Sequence, residues 1–65
     1  MNFGDRILLA RRRKGLRQEG LAKLAGVNPQ TIIDIERRRI EITEAEYLRI
    51  MAAMQQGEQP AAQAS

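Results

Sequence analysis

QEGLAKLAGVNPQTIIDIE, residues 18 to 36 of a 65-residue chain, divides at its centre. Leu21, Ala22 and Ala25 recur at helical spacing. Gly26 follows where a helix most often stops, because glycine enters the left-handed region without steric cost. Asn28-Pro29 then reads as a fresh start: Asn is a favoured N-cap, and Pro at the first helical position gives up an N–H that would have had no partner. The stretch therefore predicts two short helices joined by a tight corner at Gly26, Val27 and Asn28. So short a corner forces a steep crossing and a small residue at the contact, which is the place of Ala22, with Val27, Ile32 and Ile35 filling the angle. The second helix turns Ile32 and Ile35 inward and Gln30, Asp34 and Arg37 outward, the last three spaced i, i+4, i+7.

The flanks read as support for this pair. Gly4 to Lys14 predicts a first helix, with Asp5 favouring the positive end of its dipole and Arg11 to Lys14 the negative end. Phe3, Ile7, Ala10 and Arg11 share its inner side. An inward arginine needs an acidic partner, since an unpaired buried charge costs several kcal/mol, and Glu36 is the candidate for a structural ion pair. Leu9 lies nearly opposite that stripe and reads as exposed. The simpler account is a lone surface leucine; the sharper one is contact with a partner chain. Gly15 ends the helix and returns Leu16 to the core. Gly20 sits inside a short helix, where it costs about 1 kcal/mol relative to Ala; a weaker helix and a close backbone approach both remain open.

On the far side, Arg37-Arg38-Arg39 is either a solvated helix end favourable to the dipole or, beside an outward polar helix face, a set of phosphate contacts. Ile40, Glu41 and Ile42 form a brief connection with both isoleucines inward. Thr43-Glu44-Ala45-Glu46 reads as a capping box, Thr43 capping a last helix and Glu46 reaching back. That helix runs to about Gln55, and its apolar set of Tyr47, Leu48, Ile50, Met51 and Met54 is wide for a helix that only covers a small core. Tyr47, Met51 and Met54, with Leu9, Ile40 and Ile42, are therefore candidates for a surface that meets a second copy or a partner protein. Residues 1–56 form the domain; 57–65, polar and free of large apolar residues, read as a flexible tail.

Composition narrows the function classes. With no Cys and no His, disulfides are excluded and a zinc site is not expected. No apolar run approaches the ~20 residues that span a bilayer, and the N-terminus is polar by residue 5, so neither a membrane helix nor a signal peptide is expected and a cytoplasmic location is the default. The net charge of +3 is unevenly placed: residues 1–40 hold ten Lys/Arg against four acids, a net +6, and residues 41–65 hold Arg49 against four Glu, a net −3. A basic half that contains the outward polar helix face points to a polyanion. Amide and guanidinium groups on one helix face also match the dimensions and hydrogen-bond pattern of the DNA major groove.

The order of these elements resembles the Cro and phage-repressor (lambda-repressor-like, XRE-type) family of helix-turn-helix DNA-binding domains over about residues 4–54. The resemblance rests on GDRI..ARRRKG from Gly4, GL.Q..LAKLAGV from Gly15, T-I-x-x-I-E at Thr31 to Glu36, and the final L-x-I-M-A-A-M helix. It implies an all-α, compact domain of four or five helices. By the same resemblance, Gln18 grips a phosphate and supports a groove-facing side chain, Asn28 meets the backbone, and Pro29, Gln30 and Asp34 read base edges with Thr31 and Ile33 flanking. Arg11 and Glu36 match the family's buried ion pair. Three departures stand out. Pro29 replaces a long polar reader. Asp34 sets a negative charge toward DNA, where it either accepts from a cytosine or pairs with Arg37 or Arg38. Many members dimerise through a fifth helix, and at its place this sequence carries a polar tail.

The leading expectation is a transcriptional regulator, a repressor or autoregulator, that binds double-stranded DNA as a homodimer and needs no cofactor. The alternative is an antitoxin-like module whose main role is to bind a partner protein. Catalysis is not expected, because there is no His, no Cys, no Gly-rich phosphate loop before a helix and no acidic cluster able to hold a metal.

Overall fold

The computed structural model describes residues 2–64, with side-chain surroundings given to Gln55. It contains α1 (Phe3–Arg13), α2 (Gln18–Ala25), α3 (Pro29–Glu36) and α4 (Glu44–Ala64), an all-α arrangement in which no strand is formed among the described residues. The core is built from Ile7 of α1, Leu21 and Ala22 of α2, Ile32 and Ile35 of α3, and Ile50 and Met54 of α4. Ala10, Leu16, Ala25, Val27, Ile42, Tyr47 and Met51 close its margins. Phe3 and Tyr47 stack with ring centroids 4.4 Å apart, which ties the start of α1 to α4.

Side-chain caps explain the starts of α1, α3 and α4, whereas α2 begins at Arg17 with no side-chain cap. Asn2 Oδ1 accepts from the Asp5 N–H at 2.8 Å, and Asn28 Oδ1 accepts from the Gln30 N–H at 2.8 Å, so both helices satisfy an otherwise orphaned donor. At α4 the reciprocal box is complete: the Glu46 N–H donates to Thr43 Oγ1, and the Thr43 N–H and hydroxyl both donate to Glu46 Oε1, each at 3.1 Å. These two donors hold the Glu46 carboxyl below its ordinary pKa, the Thr43 N–H contributing most.

The ends of α1, α2 and α3 share one geometry. After α1, the Gly15 N–H donates to the Arg12 carbonyl and the Leu16 N–H to that of Arg11; after α2, Gly26 donates to Lys23 and Val27 to Ala22. After α3, Arg38 donates to Ile35 at 3.2 Å and Arg39 to Asp34 at 2.9 Å. Each is the paired 5→2 and 6→1 pattern of a Schellman stop, which requires a left-handed residue at its centre. Gly15 and Gly26 supply it at φ 69° and 71°, but at the third stop the residue is Arg38, at φ 64°.

Several expectations are corrected here. Met54 is fully buried and Met51 and Tyr47 are packed against the core, so Met54 in particular is no part of a partner surface. Tyr47, Ile50, Met51 and Met54 follow an i, i+3, i+4, i+7 spacing, an ordinary core stripe, and α4 uses it fully because it packs against both α1 and α2. Leu48 falls off that stripe and is 56% exposed. Ile42 turns to the core as expected, whereas Ile40 is 43% exposed. Leu9 is exposed, as its position opposite the α1 stripe requires. The backbone of α4 continues helically to Ala64 instead of ending near Gln55, through Gly57 and Pro60, the two residue types of lowest helix propensity. The side chains of the expected 57–65 tail, and Ser65 altogether, lie outside the described residues.

The glycines also sort differently. A Cβ on Gly20 would meet only Leu16 Cδ2 at 3.7 Å, an ordinary contact, so no backbone crowds it. The close approach is instead at Gly4, where a Cβ would collide with the Ile35 carbonyl oxygen. There α1 and α3 approach backbone to backbone.

Candidate nucleic-acid interface

Glu36 is the point from which the two helices of the central stretch are held. Its carboxylate accepts from Arg11 Nε at 2.7 Å and Nη2 at 3.0 Å, and from Gln18 Nε2 at 3.0 Å. Arg11 Nη1 donates in turn to the Leu16 carbonyl at 2.8 Å. One cluster thus links α1, the α1–α2 connection, the first residue of α2 and the last residue of α3. The side chains of Arg11 and Glu36 are only 11% and 4% exposed, and every buried side-chain nitrogen and oxygen among the described residues has a partner. Gln18, expected from the family resemblance to grip a phosphate, gives one amide N–H to Glu36 and keeps its second N–H and its carbonyl oxygen as the remaining polar edge.

The outward face of α3 then projects from this support. Pro29 and Gln30 are exposed, Thr31, Ile33 and Asp34 are half-buried, and Arg37 is exposed. Asn28 is also exposed, but its side-chain oxygen is engaged as the cap. Gln30 Nε2 donates to Asp34 Oδ1 at 3.0 Å, and Arg39 Nη1 approaches the same oxygen at 3.7 Å. Asp34 therefore does pair within its own segment. Its partners lie at i−4 and i+5, however, instead of the Arg37 and Arg38 that helical periodicity suggested, because the left-handed turn at Arg38 swings the following residue back over α3.

The three arginines separate by role. Arg37, the C-cap just beyond α3, has an exposed side chain. Arg39 reaches Asp34. Arg38, expected at a phosphate, is drawn to the start of α1, where Nη2 and Nε meet the two Asp5 carboxylate oxygens at 2.7 and 3.3 Å. That contact, together with the Asn2 cap, was missed in the sequence. Arg38 shows no local signal for it because Asp5 is 33 residues away, and the only sequence mark of the turn beneath it would have been a glycine.

The structure brings Gln18, Asn28, Pro29, Gln30, Thr31, Ile33, Asp34, Arg37 and Arg39 onto the two central helices and the turn that leaves them. Arg38 is set apart against α1. Among the described residues no helix is long and apolar enough to cross a membrane.

Against known proteins, a family model described as a helix-turn-helix domain matches residues 2–64. No curated protein and no solved structure matches the chain significantly. Helix-turn-helix domains are DNA-binding modules, and the matched residues include α2 and α3, the two short helices joined at Gly26.

Proposed function

The chain belongs to the helix-turn-helix domain family, and from that membership we propose that it is a sequence-specific transcriptional regulator. It acts as a repressor or autoregulator in the cytoplasm, binding a two-fold symmetric operator as a homodimer through α3. The observation that carries the reading is the anchoring of α3: its last residue, Glu36, is fixed by three hydrogen bonds, while its outward face carries Gln30 and Asp34 and its C-cap is the exposed Arg37. A helix held rigidly from behind, with polar groups in front, supports base reading because the groups arrive in a fixed register.

Gln18, Asn28, Arg37 and Arg39 take the phosphates, and Pro29, Gln30 and Asp34, flanked by Thr31 and Ile33, face the base edges. Backbone contacts then supply much of the affinity, and specificity depends on two copies reading together. Exposed Leu9, Ile40 and Leu48 support a contact with a second chain. The same residues favour the second reading, a module that mainly binds a partner protein.

Selection of binding sites from random duplexes tests the proposal. It should return a two-fold symmetric motif with half-sites about one helical turn, ~10 bp, apart. A motif without symmetry overturns the dimer reading, and no motif at all overturns the regulator. Replacing Gln30 and Arg37 together by Ala separates the two functions, since unchanged operator regulation with intact partner binding would leave only the second.

A further inference from the structure

Gln30 and Asp34 stand one turn apart on the outward face of α3, joined by the 3.0 Å bond from Gln30 Nε2 to Asp34 Oδ1. Chemistry fixes the direction of that bond. A carboxylate only accepts, so the amide must turn its NH2 group toward Asp34 and its carbonyl oxygen, Oε1, away. A rotated amide would set Oε1 against a carboxylate oxygen. Asp34 is itself steadied: its side chain is 27% exposed, and Arg39 Nη1 lies 3.7 Å from the same Oδ1.

An unrestrained glutamine amide can give or accept at its tip and reads either kind of base edge by rotating. Here the rotation is removed: Oε1 is fixed as the acceptor, with the second N–H of the amide beside it. We infer that Asp34 is a positioning residue that locks Gln30 in one orientation, so that Gln30 reads its base by accepting from the exocyclic amine of adenine or cytosine instead of donating to guanine. The inference rests on the proposed reading of DNA by α3. In the major groove adenine offers N6 and cytosine N4 as donors, whereas guanine offers only the acceptors N7 and O6. A locked Oε1 matches the amines and opposes the keto oxygen. The second N–H of the Gln30 amide adds a donor that adenine can use at N7 and cytosine cannot, so adenine ranks first and cytosine second.

The negative charge of Asp34, which on an anion-binding face weakens attraction to every sequence, thereby acquires a selective use. Removing it should tighten binding to DNA in general and blur the reading at one position. Those effects are opposite in sign, and the test therefore reads ratios between duplexes that differ in one base.

The experiment begins with the operator selected by the wild-type protein; selection with Gln30→Ala marks the base pair whose preference Gln30 sets. At that pair, adenine is replaced by purine, or cytosine by 2-pyrimidinone, each lacking only the exocyclic amine. Wild-type affinity should fall roughly tenfold, the discrimination of one good base-edge contact. Placing guanine there should carry a similar loss in the wild type and at least about threefold less in Asp34→Asn, whose amide can rotate and release Gln30.

Insensitivity to the missing amine overturns the inference. So does a loss on replacing guanine by 7-deazaguanine at that pair, a guanine penalty that is unchanged in Asp34→Asn, or a Gln30→Ala selection identical to the wild type. In each of these cases a motif is still selected and DNA reading stands. Failure to select any motif overturns DNA reading itself, and this inference with it.

Discussion

Replacing Arg11 by Met removes the hub of the cluster at Glu36. The change deletes the two bonds to the Glu36 carboxylate and the bond to the Leu16 carbonyl, and leaves that carboxylate, 4% exposed, with only the Gln18 amide. Breaking a buried pair from one side costs about 3–5 kcal/mol, because the remaining charge is stranded out of water. A domain of this size has a total stability of ~3–10 kcal/mol at 0.05–0.15 kcal/mol per residue. Arg11→Met should therefore consume a large part of it. The chain has no tryptophan and one tyrosine, so urea unfolding followed by helical circular dichroism is the suitable assay. With a slope near 1 kcal/mol/M, the midpoint should drop by about 3 M, or the variant should be unfolded in buffer. Arg11→Met combined with Glu36→Met should recover at least half of the loss, because no charge is left unpaired. A loss under ~0.5 kcal/mol for the single change would mean that the pair behaves as an exposed one, and the account of how α3 is anchored would fail.

Three further outcomes follow from the local geometry. Gly4→Ala should destabilise by about 1–3 kcal/mol, since its Cβ meets the Ile35 carbonyl, while Gly20→Ala should stabilise by about 0.5–1 kcal/mol; equal urea midpoints for the two variants would contradict both. At the left-handed stop after α3, Arg38→Gly should be more stable than Arg38→Ala by about 1 kcal/mol, as both lose Asp5 but only Gly is at ease at φ 64°. For Glu46, whose pKa the Thr43 donors lower, the stabilising contribution is present above the unfolded carboxyl value and is lost as pH falls through the lower folded one. The advantage of the wild type over Glu46→Gln in thermal unfolding should accordingly shrink below about pH 4; an advantage that grows in acid would refute this.

Much of this architecture was legible because its signals are local. Gly15 and Gly26 mark their stops, Asn28-Pro29 marks a start, and Thr43 with Glu46 forms a box within four residues. Arg11 and Glu36 were legible for a different reason: an arginine on an apolar stripe demands an acid, and few acids lie in the basic half. What escaped depends on distance in sequence or on a conformation the residue type does not announce. The approach of Ile35 to Gly4 and the reach of Arg38 to Asp5 exist only once α1 and α3 have packed. Arg38 adopts a glycine's conformation, so its run of three arginines read as charge alone. In the sequence the apolar residues of α4 read as one broad stripe that puts Met54 at a partner surface, whereas a single residue of that set, Leu48, lies off the face that α1 and α2 cover.

At the candidate interface, the positions of Gln30 and Asp34 on one face followed from helical spacing, but the bond between them did not. Side chains at i, i+4 can meet, and whether they do depends on what else competes for them. Here Arg38 is withdrawn to Asp5 and Arg39 is folded back, leaving Gln30 as the residue one turn from Asp34.

The central claim is that α3 reads sequence and does not merely adhere to a polyanion. Its most direct test is the affinity of the wild-type protein for its selected operator relative to a scrambled duplex of the same length, titrated at physiological salt. The account predicts a ratio of at least ~10³, the lower range for specific DNA-binding proteins; a ratio near one would contradict it.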